Sequence, residues 1–220
     1  MKHLSKAALI ILLFLAGAWK VAAVDFDRMQ NVLSQRFGPV SQESFRDWQK
    51  LLRENADQPA PAKLKQVNDF FNRRIKFRDD QEVWGQSDYW ATPMETLGRG
   101  AGDCEDFAIA KYFTLLLLNV PDEKLRLIYV QARLGGTNSS ITQAHMVLAF
   151  YPSPEAEPVL LDNLINDLQP ASRRPDLSPV FSFNSQGLWQ GASGARGAGG
   201  PANLSRWQEL LRRARAEGFD

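Results

Sequence analysis

Hydrophobic spacing changes its period once along this chain, at Pro121, and that change limits the possible folds more than any other feature. On the N-terminal side, apolar residues recur every three or four positions. Phe26, Met29, Val32, Leu33 and Phe37 form one stripe, closed by Gly38 and Pro39. Phe45, Trp48, Leu51 and Leu52 form a second within 41–54. After the breaker "NADQPAPA", Leu64, Val67, Phe70 and Phe71 form a third within 63–74. Such spacing lines one face of a helix. On the C-terminal side "LRLIYVQAR" (125–133), "AHMVLAFY" (144–151) and "PVLLDNL" (158–164) are β-rich runs. The loops "TNSS" (137–140) and "PSPEAEP" (152–158) separate them, and residues 180–183 and 188–189 add short strand candidates. Helices followed by antiparallel strands predict an α+β domain.

Between these halves, residues 79–103 read as turn-rich, with Trp84, Tyr89 and Trp90, then Pro93 and a short helical stretch to Leu97. "GRGAGD" (98–103) is glycine-rich but lacks the Lys-Ser or Lys-Thr pair of a phosphate loop, so it reads as a tight bend. It delivers the chain into a helix beginning near Cys104, with Asp103 as a capping residue. From Phe107 to Leu118 that helix is apolar nearly all round, the pattern of a buried central helix. Past a glycine-rich stretch (191–201), expected to be flexible, a closing helix is expected over 203–218, with Ser205 and Gln208 as its capping pair.

The first 23 residues are expected to lie outside this domain. Lys2 and Lys6 precede the apolar run "AALIILLFLAGA", and Val21-Ala22-Ala23 supplies a small-residue ending. That is the layout of a secretory signal peptide; a retained N-terminal anchor is the alternative. No cysteine follows the run, which excludes a lipoprotein anchor. Residues 24–220 then form a single domain. The 26 basic and 25 acidic residues nearly balance, unlike the basic excess of a nucleic-acid binder. Losing the leader's three lysines leaves 23 basic residues against 25 acidic.

The remaining chain holds one cysteine, Cys104, and one histidine, His145. An internal disulfide is impossible, and so is a structural zinc site of the usual Cys/His kind. A lone thiol is therefore an inert core residue or a reactive one. At a helix N-terminus the exposed N–H groups and helix dipole favour a thiolate, and imidazole is the natural partner for its proton. Asp162 ends the apolar run after His145; if the two runs pair, it falls beside the imidazole and fixes its tautomer. Against this stands the setting: Asp103, Glu105 and Asp106 flank Cys104, and negative neighbours disfavour a thiolate. A hard divalent cation on those carboxylates would cancel the charge. Backbone carbonyls near Pro121 to Leu125 are candidates to complete its shell. Trp90 is a candidate second oxyanion donor beside the Cys104 N–H.

"GDCEDFAIAKYFTLLLL", "AHMVLAFYPSPEAEPVLLDNL" and "PASRRPDLSPVFSFNSQGLW" together resemble the LapG-like periplasmic proteases, the bacterial transglutaminase-like cysteine proteinases. The resemblance runs from about Phe26 to Trp189. It implies a transglutaminase/papain-like core, with Cys104 as nucleophile, His145 as base and Asp162 orienting the histidine. It also implies calcium dependence, with Asp103, Glu105 and, less directly, Asp106 as ligands. The implied substrate is the N-terminal region of a large surface adhesin, cut within a small-residue motif containing paired alanines. The implied partner is the periplasmic domain of an inner-membrane cyclic-di-GMP receptor, which sequesters the protease. Two other classes share these residues. A protein-glutamine transglutaminase resolves the same thioester with an amine, and a non-catalytic periplasmic binding module tolerates alkylation of its thiol.

Overall fold

The computed structural model describes residues 24–219 except 136–138, 193, 195, 196, 198 and 199. The segment expected to be a signal peptide lies outside the described residues, as do parts of the 137–140 loop and of the glycine-rich stretch. Three amphipathic helices come first: α1 (Phe26–Phe37), α2 (Val40–Asn55) and α3 (Ala60–Arg74). Their apolar stripes end in one core, where Met29, Leu33, Phe45, Trp48, Val67 and Phe71 are wholly buried. The stretch read as turns contains more order than its composition suggests. A two-residue strand β1 (Lys76–Phe77), a short helix α4 (Asp80–Trp84) and helix α5 (Pro93–Arg99) lead to strand β2 (Ala101–Gly102), which pairs in parallel with β1. Thr92 and Glu95 form a reciprocal capping box that starts α5.

Helix α6 (Cys104–Leu117) is the centre of the molecule. Phe107, Ile109, Ala110, Tyr112, Phe113 and Leu115 are buried on every side of it, as its uniform apolarity predicts. It lies between α3 and α5 on one side and the sheet on the other. Two polar contacts tie it to its neighbours: the Trp48 indole N–H donates to Thr114 Oγ1 at 2.9 Å, and Lys63 Nζ donates to the Leu118 carbonyl at 2.8 Å, near the helix end.

The sheet has six strands in the order β6-β5-β4-β3-β7-β8, with every neighbouring pair antiparallel. They span Leu125–Arg133 (β3), Thr142–Phe150 (β4), Val159–Leu161 (β5), Gln169–Pro170 (β6), Leu177–Phe183 (β7) and Leu188–Gln190 (β8). Alternation along β4 divides two cores. Met146, Leu148 and Phe150 join the main core, whereas Val147 and Ala149 pack with Ile128, Val130 and Leu160 in a second cluster. The α+β expectation, with the helix of Cys104 packed on an antiparallel sheet, therefore holds.

The closing helix α7 (Ser205–Glu217) returns to the helical layer, burying Trp207 and Leu210. Its start differs from the sequence reading. Leu204 is the N-cap and no side chain caps the helix, because Ser205 is already helical. Among the described residues, no helix is long and apolar enough to cross a membrane.

Candidate active site

Gly100 and Gly102 make the bend before α6 possible. Gly100 ends α5 in the left-handed region at φ 63°, where a side chain is strained. A Cβ on Gly102 would collide with the Asp106 carboxylate. Only glycine lets the chain pass the buried Asp106 carboxylate and enter α6 one residue after Asp103.

Cys104 thus stands in the first turn of α6, where backbone N–H groups have no helical partner. Its thiol donates to Glu105 Oε2 at 2.6 Å. Burial pushes the thiol pKa up, and Glu105 and Asp103 push it further; the Met146 backbone N–H pulls the other way. That N–H belongs to β4, so the sulfur rests against the strand carrying His145. Cys104 and His145 line one pocket of about 200 Å³, walled by Phe77, Ala132, Leu134, Gln143 and Leu164.

His145 is 5% exposed, and its Nε2 lies 2.8 Å from Asp162 Oδ1. Asp162 follows β5, which pairs with β4, so strand register brings the two together. The carboxylate is itself fully held. Oδ1 also accepts the Leu164 N–H at 3.0 Å, and Oδ2 accepts Arg174 Nη1 at 2.7 Å. Burial alone would raise the Asp162 pKa; the bond to His145, the His145 charge, Leu164 and Arg174 outweigh it and hold it at about 2. Behind the pair, Lys111 on α6 is wholly buried with no hydrogen-bond partner for Nζ, over the Phe107 ring at 5.6 Å. Burial lowers its pKa to about 7, against the attraction of Asp162.

On the other side of Cys104 the acids divide into two groups. Asp80, Asp103 and Asp106 offer carboxylate oxygens all within 4.8 Å of one another; the Asp103 and Glu105 carboxylates and the Cys104 sulfur lie within the same distance of one another. Asp103 belongs to both. It is the N-cap of α6, but its side chain makes no cap hydrogen bond. Asp80 Oδ1, Asp103 Oδ1 and Asp106 Oδ2 are each shielded from solvent without a partner. Burial and mutual repulsion raise all three pKa values, that of Asp80 to about 6. Unbonded buried carboxylate oxygens are costly unless a cation takes them up. An all-oxygen, acid-rich donor set fits a hard ion such as calcium.

Three sequence expectations change here. Asp80, from the start of α4, joins the acids, whereas the sequence reading places it only in a turn-rich stretch. The carbonyls near Pro121 to Leu125 sit past the far end of α6, about 20 Å along its axis from Cys104. Those of Asp122 and Leu125 accept from Asn184 Nδ2 instead. Trp90 donates its indole N–H to Asp88 at 3.1 Å and stacks on Phe183, a structural role. Arg174, which braces Asp162, was hidden in an arginine-rich loop.

Comparison with known proteins agrees with this architecture. A profile of the bacterial transglutaminase-like cysteine proteinases matches residues 41–175. The chain belongs to that family. The chain is also similar to solved structures of Legionella pneumophila LapG. The EGTA-treated form is 38% identical with a TM-score of 0.74, covering 87% of this chain and 98% of that one. The calcium-bound form is 39% identical with a TM-score of 0.72, covering 86% and 99%. No curated protein matched the chain. This bacterial transglutaminase-like cysteine proteinase is thus a thiol protease by family, the class expected over a transglutaminase or a non-catalytic binding module.

Proposed function

We propose that the protein is a calcium-dependent cysteine endopeptidase of the periplasm that cuts the N-terminal region of a large surface adhesin. The observation that carries this reading is the pocket shared by Cys104 and His145, with His145 bonded to a fully braced Asp162. Asp162 on Nε2 fixes the ring proton there and leaves Nδ1 to exchange a proton with the thiol. Cys104 thiolate attacks the scissile carbonyl, and first-turn N–H groups of α6 receive the developing oxyanion. His145 protonates the leaving amine, giving a thioester. His145 then draws a proton from water, which hydrolyses the thioester and restores the thiol.

Asp80, Asp103 and Asp106 are the residues that would hold calcium, with Glu105 the carboxylate on the thiol side. The ion supplies positive charge that offsets the acids beside the sulfur. A pocket of about 200 Å³ walled by Phe77, Leu134 and Leu164 favours small side chains at the cut, in keeping with a motif of paired alanines. The periplasmic domain of an inner-membrane cyclic-di-GMP receptor is the proposed partner, withholding the protease while the nucleotide is abundant.

The test is incubation with a candidate adhesin N-terminal region, with calcium or EGTA, followed by sequencing of the products. One cut within small residues is expected with calcium, and none with EGTA or with Cys104→Ala. Cleavage by Cys104→Ala overturns the proposal.

A further inference from the structure

We propose that α7 sets the cation affinity of the acidic site, by clamping the segment from Asp88 to Ala91 that orients two of its carboxylates, with Arg213 as the positioning residue. This rests on the reading that Asp80, Asp103 and Asp106 hold a divalent cation. Two backbone donors in the segment do the orienting. The Tyr89 N–H donates to Asp80 Oδ2 and the Ala91 N–H to Asp106 Oδ1, the latter at 2.7 Å. Each bond occupies one carboxylate oxygen and leaves the other, Asp80 Oδ1 and Asp106 Oδ2, without a partner. Where these two oxygens stand therefore depends on where the segment stands.

The segment is neither helix nor strand, and it begins at Asp88 in the left-handed region, φ 57°. No ladder of its own holds it, so its position is set from outside. Much of that hold comes from α7. Arg213 Nη2 donates to the Trp90 carbonyl at 2.6 Å and Nη1 to the Tyr89 hydroxyl at 2.8 Å. Its guanidinium lies over the Tyr89 ring at 4.6 Å. Two turns earlier on α7, Arg206 donates to the Asp88 carbonyl at 2.9 Å and pairs with its carboxylate at 2.7 Å.

Arg213 is itself fixed. It pairs with Glu95, which is wholly buried, locked in the α5 capping box and bonded by Arg36 at 2.7 Å. Guanidinium, carbonyl, amide and carboxylate form one chain from the terminal helix to the acids. Groups that orient metal ligands from behind change affinity by about 10–100-fold when removed.

Calcium titration of the full chain by isothermal calorimetry tests this, with melting in EGTA recorded for each variant. Arg213→Met is expected to bind about 10-fold or more weakly. Arg206→Ala, whose side chain is half exposed, is expected to keep its fold and weaken binding by a smaller but measurable factor. Arg74→Met removes pairings with Glu43 and Asp47, between α3 and α2, and touches nothing in the segment, so its affinity stays within about twofold of wild type. Wild-type affinity in folded Arg213→Met and Arg206→Ala overturns the inference alone. Equal weakening in Arg74→Met also overturns it, by showing general loosening. A wild-type chain that binds no calcium removes the cation reading beneath it as well.

Discussion

Asp162 orders the site through both of its oxygens: one accepts from the Leu164 N–H and meets His145, and the other accepts from Arg174. Asp162→Asn keeps the shape but removes the charge that stabilises an imidazolium and selects its tautomer. We expect kcat on the adhesin fragment to fall by about 10³–10⁴ with little change in KM. A loss below tenfold in steady-state kinetics would contradict the assigned role. Cys104, His145 and Asp162 were legible in sequence because each lies on or beside a segment whose type its neighbours declare. Asp80 was not, since nothing in "RDDQE" separates a buried acid from a helix-starting one. Arg174 was hidden for a related reason: its contacts with Asp162 and Asp176 depend on how a loop folds back under the sheet.

At the scale of elements, the helices of the first third and the long strands were readable, because each buries a single face and spaces its apolar residues accordingly. Helix α4 and strands β1 and β2 were not. They are two to five residues long, too short to show a period, and exist because the bend before α6 is packed from both sides. The docking of α7 carries a prediction. Burial raises the Glu217 pKa from its usual 4.5 to about 7, and only Arg36 at 2.9 Å, Arg213 and a bond with Thr92 offset this. Between those two values the folded state binds more protons than the unfolded chain, so stability falls as pH rises from 4.5 through 7. Glu217→Gln removes that group's share of the slope and leaves the share of the raised acids Asp80, Asp103 and Asp106. Thermal melts at pH 5, 6, 7 and 8 in EGTA should spread less for the variant than for wild type; an equal spread would refute the assignment.

For the whole molecule, the nearly even charge argued against nucleic-acid binding, the single cysteine ruled out an internal disulfide, and together they pointed to one thiol as the place of chemistry. What sequence left open was how a thiol among acids becomes useful. The fold answers with a second layer of carboxylates behind it, gathered from α4, the bend and α6. If those acids bind calcium only when folded, the ion stabilises the chain. At one hundred times its dissociation constant it adds about 2.7 kcal/mol. For a domain of this size that raises the melting temperature by roughly 5–11 °C. Differential scanning calorimetry in calcium and in EGTA checks this; coincident transitions would argue against a cation site.

Because Cys104 is the only cysteine, its chemistry is open to a single decisive measurement. The protein is alkylated to increasing extents with iodoacetamide, the fraction modified is read from intact mass, and cleavage of the adhesin fragment in calcium is measured on the same samples. The account predicts activity falling in proportion to the modified fraction and reaching zero at one adduct per chain. Cleavage persisting in fully alkylated protein would contradict it.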